Sequence, residues 1–546
     1  MRAAARLFAS DRACLLAVVL AGLLLLVPGL GSRDLWDPDE PRTAAVTAAI
    51  VSGESWVAPR LDGRPWLEKP PLYYWAAAAA ARATGRVDEA TVRLPANVAA
   101  VLCAVVVFLL GRSLWGRRAG VLAAVVLLTT FDFAIEARWA RPDMLLGLIL
   151  TFAALAAWKV CEREVLPRAR SAWAAAFWAA IGLGLIAKGP VALLPIAGVL
   201  VFAAATRRAA VLRALGAGWG MAVAALPIAA WMLGWSVATG TPFPAAAVLG
   251  RFAQRLTEGI HHARPPLHLL TTLPLALVPW VALLPAAIAE TWPRREGNRD
   301  ERAVFILSLA IAYLALFAMS AEKRGVYLLP VVPLSAILIG RLWDVRLYPW
   351  LPPPPARAIA AGLAAWLLAI GAAAAWVLAR LPAEAPALMR PATLLAGAAL
   401  LAASAPLALW RRAGTGGAIG LFAAGAALCS LLATHVVLPA IEPYKSPRDF
   451  GRRVAAAAGP DPVGIFRDPH RGIAWYAGRP LEVLPTTASL AAFLSGPARA
   501  LVVSEAQAWE AAAPRAGAGA RIVERGRVGH RVFVLVEPDR AAGAGP

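Results

Sequence analysis

Thirteen apolar runs, each 16 residues or longer and almost free of charge, recur between residues 13 and 438. They cover about 13–32, 94–111, 119–135, 142–158, 171–187, 189–206, 214–238, 267–289, 303–320, 325–340, 358–379, 391–410 and 415–438. A hydrocarbon layer about 30 Å thick is crossed by a helix of roughly 20 apolar residues. Only segments that satisfy their own backbone hydrogen bonds can cross it. The runs therefore predict a polytopic all-α membrane protein with about 13 transmembrane helices. Composition agrees: 60% of residues are hydrophobic and 16% charged, against about 45–50% and 25% in soluble domains. That balance excludes both a soluble enzyme and a disordered chain.

The net charge of +21 would point to nucleic acid in a soluble protein. Here the arginines sit in short clusters between apolar runs, where membrane topology places them, so no nucleic-acid partner is expected. With the N-terminus in the cytoplasm, the cytoplasmic loops carry 19 basic residues, from Arg112, Arg117 and Arg118 through to Arg411 and Arg412. The short outer loops carry 7: Arg138, Arg141, Lys188, Lys323, Arg324, Arg380 and Arg390. The excess of Lys and Arg inside sets the orientation, and an odd number of spans then puts the C-terminus outside. No small-x-small cleavage site follows the first run, which reads as a retained span. Cys14, Cys103, Cys161 and Cys429 lie in or beside apolar runs with no CxxC, so neither a disulfide framework nor a zinc cluster follows.

Polar segments divide the chain. Residues 33–93 and 239–266 form two outer loops within a first region, 1–346. The Pro-rich stretch with Pro349 and Pro352–Pro355 cannot hold a regular helix and leads to three further spans in 347–440. Residues 441–546 alternate short apolar runs (Val463–Phe466, Ala500–Val503, Val532–Val536) with helical patches (Asp449–Ala458, Leu490–Leu494), the pattern of a small α/β domain outside the membrane.

Charge at the outer edges of the early spans is dense and mixed in sign. The first loop carries Asp37-Pro38-Asp39-Glu40-Pro41-Arg42, then Trp56 to Leu61, then Trp66-Leu67-Glu68-Lys69-Pro70-Pro71. Asp37 fits a helix N-cap with Pro38 first and Glu40 third in the helix. The helix continues through Ala44–Val51, ends at Gly53 and lies along the membrane surface, with Trp56, Trp66 and Trp75 at headgroup depth. Acids at a helix start are ordinary dipole partners, and Glu68-Lys69 alone would pass for an interfacial ion pair. Their company argues for more. Arg138-Trp139-Ala140-Arg141-Pro142-Asp143, Lys188-Gly189-Pro190 and Glu322-Lys323-Arg324 map to the same face, and charge at span ends is costly unless paired or used. Five of the 54 basic residues are lysines (Lys69, Lys159, Lys188, Lys323 and Lys445), and three of them fall in these clusters. A compact ammonium rather than a planar guanidinium is what such positions retain.

Taken in order, Asp39-Glu40-Pro41-Arg42, Glu68-Lys69-Pro70-Pro71-Leu72, Arg141-Pro142-Asp143, Lys188-Gly189-Pro190, Gln254-Arg255 and Lys323-Arg324 with Tyr327-Leu328-Leu329-Pro330 resemble the aminoarabinose transferase family of lipid A glycosyltransferases. That family is related to the protein O-mannosyltransferases and belongs to the GT-C class of polyprenyl-phosphate-dependent membrane glycosyltransferases. The resemblance covers roughly residues 30–340. It implies inverting transfer of an aminoarabinose-like pentose or a hexose from a polyprenyl-phosphate donor to lipid A or another envelope glycolipid or polysaccharide, on the outer face of the bacterial inner membrane. It implies Asp39 as a general base, Glu40, Glu68 and Asp143 as further catalytic acids, and Arg42, Lys69, Lys188, Arg255, Lys323 and Tyr327 around the donor phosphate. The family often has a histidine just before the Gln-Arg pair; here Phe252 stands near that position, with His261 and His262 further on. That departure puts a divalent-metal site on such a histidine in doubt, and the resemblance fixes no other cofactor. A protein O-mannosyltransferase is the neighbouring alternative. A transporter or flippase would share the many spans, but such proteins tend to repeat internally and break helices near the midplane. No repeat relates the two halves of this chain. A structural subunit would leave the acid–lysine clusters unexplained.

Overall fold

The computed structural model describes residues 10–162, 165–258, 263–291, 300–347, 356–384, 386–496, 499–516 and 520–538. Among them, eight helices are long and apolar enough to cross a membrane, and nine if one bent pair counts as a single span. Each of the thirteen apolar runs is carried by helix. The difference from thirteen arises because some runs fold as short or broken helices, such as Asp11–Leu26, Arg117–Leu128, Leu194–Thr206 and Val331–Arg346. The run 267–289 is the bent pair, His268–Ala276 followed by Trp280–Thr291 at 105°. Pro274 and Pro279 lie in it, and a Pro removes a helical N–H. The bend is bridged from elsewhere: Phe131 donates its N–H to the carbonyl of Val278 at 2.8 Å.

The helices sort by environment. Glu89–Trp115 and Asp143–Cys161 are 67% and 78% buried and form the centre of the bundle. Ala217–Thr239 and Ile359–Val377 are only 17% and 11% buried although apolar all round, with Leu226, Leu233 and Leu368 exposed. Apolar surface of that extent is stable against lipid and not against water. The protein is a multi-pass membrane protein. At one end of the bundle, ion pairs gather Asp11 with Arg112 and Arg117, Arg208 with Glu301, Lys159 with Glu162, and Arg346 with Glu290. These are the loops expected in the cytoplasm. The Pro349 and Pro352–Pro355 stretch lies outside the described residues.

The opposite end carries the C-terminal module. A two-strand hairpin, β1 (Arg60–Leu61) and β2 (Arg64–Pro65), sits in the first loop. The module itself is a five-stranded sheet of β3 (Val463–Phe466), β4 (Glu482–Leu484), β5 (Leu501–Glu505), β6 (Ala520–Val528) and β7 (Arg531–Pro538), ordered β4-β3-β5-β7-β6. β3 runs parallel to β4 and β5, while β7 is antiparallel to β5 and β6. Side chains alternate across a strand, and both faces here are covered. Leu501, Val503, Phe533 and Leu535 pack with Phe450 and Val454; Val502, Val534 and Val536 pack with Leu490 and Trp509. The hairpin β6–β7 turns on Gly529-His530, with Gly529 at φ +63°, a conformation in which glycine is favoured. The expected strands and helices of this module are present; β4 and β6, too polar to stand out, are additional.

The module grips the first loop. Glu442 accepts from Asp34 N–H at 2.9 Å and from Trp36 Nε1 at 3.1 Å. Leu35 N–H donates to the Tyr476 hydroxyl at 2.7 Å, and that hydroxyl donates to Glu89 at 2.8 Å.

Candidate active site

The helix Asp39–Val51 sets the geometry. It is packed on most sides, with Thr43, Ala44, Val46, Thr47 and Ile50 buried, so it is an inserted element and not one lying loosely on a surface. Pro38 occupies its N-cap position and no side chain caps it. Asp37, expected as the cap, turns the other way: its carboxylate accepts Gly472 N–H at 3.0 Å and faces His470 Nδ1 at 3.0 Å. The C-terminal module offers that carboxylate an amide and an imidazole.

Asp39, 5% exposed, pairs with Lys69 Nζ at 2.8 Å, Arg324 Nη2 at 3.3 Å and Arg141 Nη1 at 3.9 Å. Burial alone would raise its carboxyl, but Lys69 foremost, then Arg324 and Arg141, hold it far below the usual carboxylate range. Arg141 also reaches Glu136 at 3.0 Å and lies 4.4 Å over the ring of Trp139.

Asp143, at the first position of its helix, pairs with Lys188. Lys188 is the last residue of the helix Pro167–Lys188, and Gly189 turns the chain directly after it at φ +80°. A Cβ on Gly189 would fall 2.4 Å from the ring of Phe252, so this close approach requires glycine. The Lys188 ammonium stands 5.0 Å from the centre of the Tyr327 ring, which stacks on Phe317. The Asp143 carboxylate also interacts electrostatically with Arg141 and Lys69, which joins the two acid–cation groups into one patch.

A third group borders it. Glu68 lies 3.3 Å from Arg255 and 3.6 Å from Arg42, and Arg255 Nε lies 3.8 Å from Glu322. Backbone pairing brings Arg255 there: Glu322 N–H donates to the Arg255 carbonyl at 3.1 Å, and Ala321 N–H to that of Leu256 at 2.8 Å. Asp39, Glu68, Asp143, Arg42, Lys69, Lys188, Arg255 and Tyr327 thus come together from six separated stretches of sequence.

Two expected site residues stand apart. Glu40 is fully buried behind the patch. It accepts from Arg33 at 2.7 Å, from Arg93 Nε at 2.7 Å and Nη2 at 3.0 Å, and from the amides of Trp36 and Ala140 at 3.1 and 3.2 Å. With its oxygens so engaged it is a clamp between the first loop and its neighbours and reaches no reacting group. Burial pushes its carboxyl up, but Arg93 and Arg33 outweigh this and bring it to about 2. Lys323, 3% exposed, donates to the carbonyls of Ser320 and, at 3.1 Å, Arg264; it secures a loop. Arg324 next to it is in extended backbone, where successive side chains point to opposite sides, and it is Arg324 that turns to Asp39. Arg141 and Arg324 were legible inside the Arg-Pro-Asp and Lys-Arg motifs. Arg33, Arg93 and Glu136 carried no local signal in a chain whose basic residues are nearly all arginine. His261 and His262 lie outside the described residues.

A helical bundle with acids and cations from separate loops converging at one end, beneath an α/β module, has the GT-C fold of membrane glycosyltransferases. Within that class the chain is similar to the aminoarabinose transferases. It superposes on the structure of ArnT from Cupriavidus metallidurans bound to undecaprenyl phosphate with a TM-score of 0.81 at 23% identity, covering 98% of this chain and 100% of that one. The oligosaccharyltransferase of Archaeoglobus fulgidus in its apo form is a more distant fold neighbour, with a TM-score of 0.51 at 13% identity over 97% of this chain and 76% of that one. In sequence, the undecaprenyl phosphate-alpha-4-amino-4-deoxy-L-arabinose arabinosyl transferase of Pseudomonas aeruginosa PAO1 is 30% identical over 342 residues, 61% of this chain and 60% of that protein. The enzyme of the same description from Pectobacterium atrosepticum is 30% identical over 325 residues, 59% and 57% of the two chains. The match thus spans about three fifths of these relatives. The family model described as dolichyl-phosphate-mannose-protein mannosyltransferase matches residues 68–235.

Proposed function

We propose that this protein is an inverting glycosyltransferase that moves a sugar, an aminoarabinose-like pentose or a hexose, from a polyprenyl-phosphate donor to lipid A or another envelope glycolipid. What supports the reading is that the Asp39–Lys69 and Asp143–Lys188 pairs are linked by Arg141, which lies 3.9 Å from Asp39 and two residues before Asp143. The bond from the anomeric carbon to the donor phosphate breaks as the acceptor oxygen attacks from the opposite side, and the electron pair leaves with the phosphate. Fixed cations in a site of low dielectric stabilise that departing charge: Lys69, Lys188 and Arg255, with the Tyr327 hydroxyl as a donor beside them. Asp39, Glu68 and Asp143 face the positive character that develops on the sugar.

Asp39 is a weak base while Lys69 holds it. A donor phosphate that draws Lys69 away leaves Asp39 more basic when an acceptor hydroxyl must lose its proton. An acceptor phosphate is already ionised and needs no base. A protein acceptor is the second reading, favoured by the mannosyltransferase family match.

The test is direct. Purified protein given radiolabelled undecaprenyl-phosphate aminoarabinose should transfer label to lipid A and release undecaprenyl phosphate only when an acceptor lipid is present; no release with any acceptor defeats the reading. In this scheme the N-terminus is cytoplasmic and residues 441–546 form an exported domain of the inner-membrane protein. An alkaline phosphatase fused after Pro546 is expected to be active, and a cytoplasmic reporter fused there inactive; the reverse result overturns the orientation.

A further inference from the structure

Where the C-terminal module meets the first loop, a cavity of about 360 Å³ opens between Trp36, Asp37, Pro38 and Arg42 on one side and Lys445, the 468–471 turn and the β6–β7 turn on the other. Trp139 completes its wall. None of the parts forms it alone. We infer that this cleft receives the phosphorylated saccharide head of the lipid acceptor. The inference rests on the glycosyltransferase reading above.

The lining has the chemistry of such a ligand. Four cations, Arg42, Lys445, Arg471 and Arg531, face two carboxylates, Asp37 and Asp468. Asp37 already accepts from the Gly472 amide and lies beside His470, and Asp468 is paired with Arg531. Arg471 pairs with the partly exposed Asp62 and keeps further N–H groups for another anion. Among the described residues, Lys445 and His530 make no ion pair, and both are exposed. An excess of ammonium and guanidinium donors is what binds phosphate. The indoles of Trp36 and Trp139, packed edge to face at 5.9 Å, add an apolar wall, fixed in place by the Glu442 carboxylate on Trp36 Nε1 and by Arg33 over both rings. The volume lies in the range of sites that enclose a small ligand.

Position makes the cleft an acceptor site and not a second donor site. Arg42 lines it and also stands 3.6 Å from Glu68 at the border of the acid–cation patch. Arg42 is one helical turn from Asp39. A head group seated here lies against Arg42, in the first turn of the helix that carries Asp39, with Lys445 available to its phosphate. Lys69 and Lys188, the donor-phosphate cations of the reading above, pair with Asp39 and Asp143 and do not line the cleft.

The test uses the full-length protein in phosphatidylcholine nanodiscs and three probes: an acylated glucosamine disaccharide bearing two phosphates, the same lipid with both phosphates removed, and undecaprenyl phosphate. Wild type is expected to bind the phosphorylated lipid at least tenfold more tightly than the dephosphorylated one. Lys445→Glu, and Lys445→Ala to a smaller degree, should remove that preference while affinity for undecaprenyl phosphate and thermal unfolding stay unchanged. Equal wild-type affinity for the two disaccharide lipids overturns the inference. So does a preference that survives in Lys445→Glu, or a parallel loss of undecaprenyl phosphate binding. Failure of the glycosyltransferase reading registers elsewhere, as absent sugar transfer by wild type. Phosphate-dependent lipid binding without transfer keeps the cleft and removes only that reading.

Discussion

Lys69→Ala is expected to slow sugar transfer by about two to three orders of magnitude, the usual cost of deleting one preorganised donor at a developing oxyanion. The Lys69 ammonium is 15% exposed, stands 2.8 Å from Asp39 and faces the patch that also holds Asp143. Its loss leaves Asp39 with Arg324 and Arg141, so the fold should persist and the defect should appear in kcat. Lys69→Arg should recover only a small part of the rate, because a planar fork anchored on Asp39 cannot follow a phosphate as a compact ammonium does. Single-turnover transfer with saturating donor is the measurement. An unchanged rate in Lys69→Ala would take Lys69 out of the phosphate cradle.

Glu40→Ala should act on stability first. The carboxylate is completely enclosed, and Arg33 and Arg93 converge on it. Removing one partner of a buried ion pair costs about 3–5 kcal/mol because the remaining charges stay buried without compensation. Here two guanidiniums would be stranded. Thermal unfolding in detergent should fall markedly, while donor KM of the surviving folded protein changes little. The same clamp predicts a pH dependence. With the carboxyl at about 2 in the folded protein and near its ordinary value of 4.5 unfolded, its contribution is complete above about 4.5. It is lost as pH falls from there toward 2. Wild type should therefore lose more stability over that interval than Glu40→Gln, whose residue 40 does not titrate. Equal losses in the two proteins would remove the clamp assignment.

These two residues, neighbours of residues quoted in the same motifs, show how far the sequence could be read. Asp39 and Glu40 are adjacent acids at a helix start, chemically equivalent on the page. One faces Lys69; the other points behind the helix into two arginines that lie 7 positions before it and 53 after. Lys323 and Arg324 exchange roles for a similar reason, since an extended backbone sends consecutive side chains to opposite sides. The Asp37 cap failed because its partner sits 435 positions away. The Phe252 departure gains a structural meaning: its ring fills the space beside Gly189, directly after Lys188.

What the sequence determined by itself follows from short-range physics. Runs of apolar residues must become membrane helices because nothing else in lipid satisfies their backbone, arginine clusters mark the loops of one end, and alternating runs make the terminal sheet. The residue types of the acid–cation patch were also readable, because unpaired charge near lipid is too costly to persist without a use. Tertiary structure alone decided which acid meets which cation, which acid is sealed away, and that the terminal module closes a cleft over the first loop. Those choices depend on contacts between residues from 7 to 435 positions apart, set by how the elements pack, so no local pattern could record them.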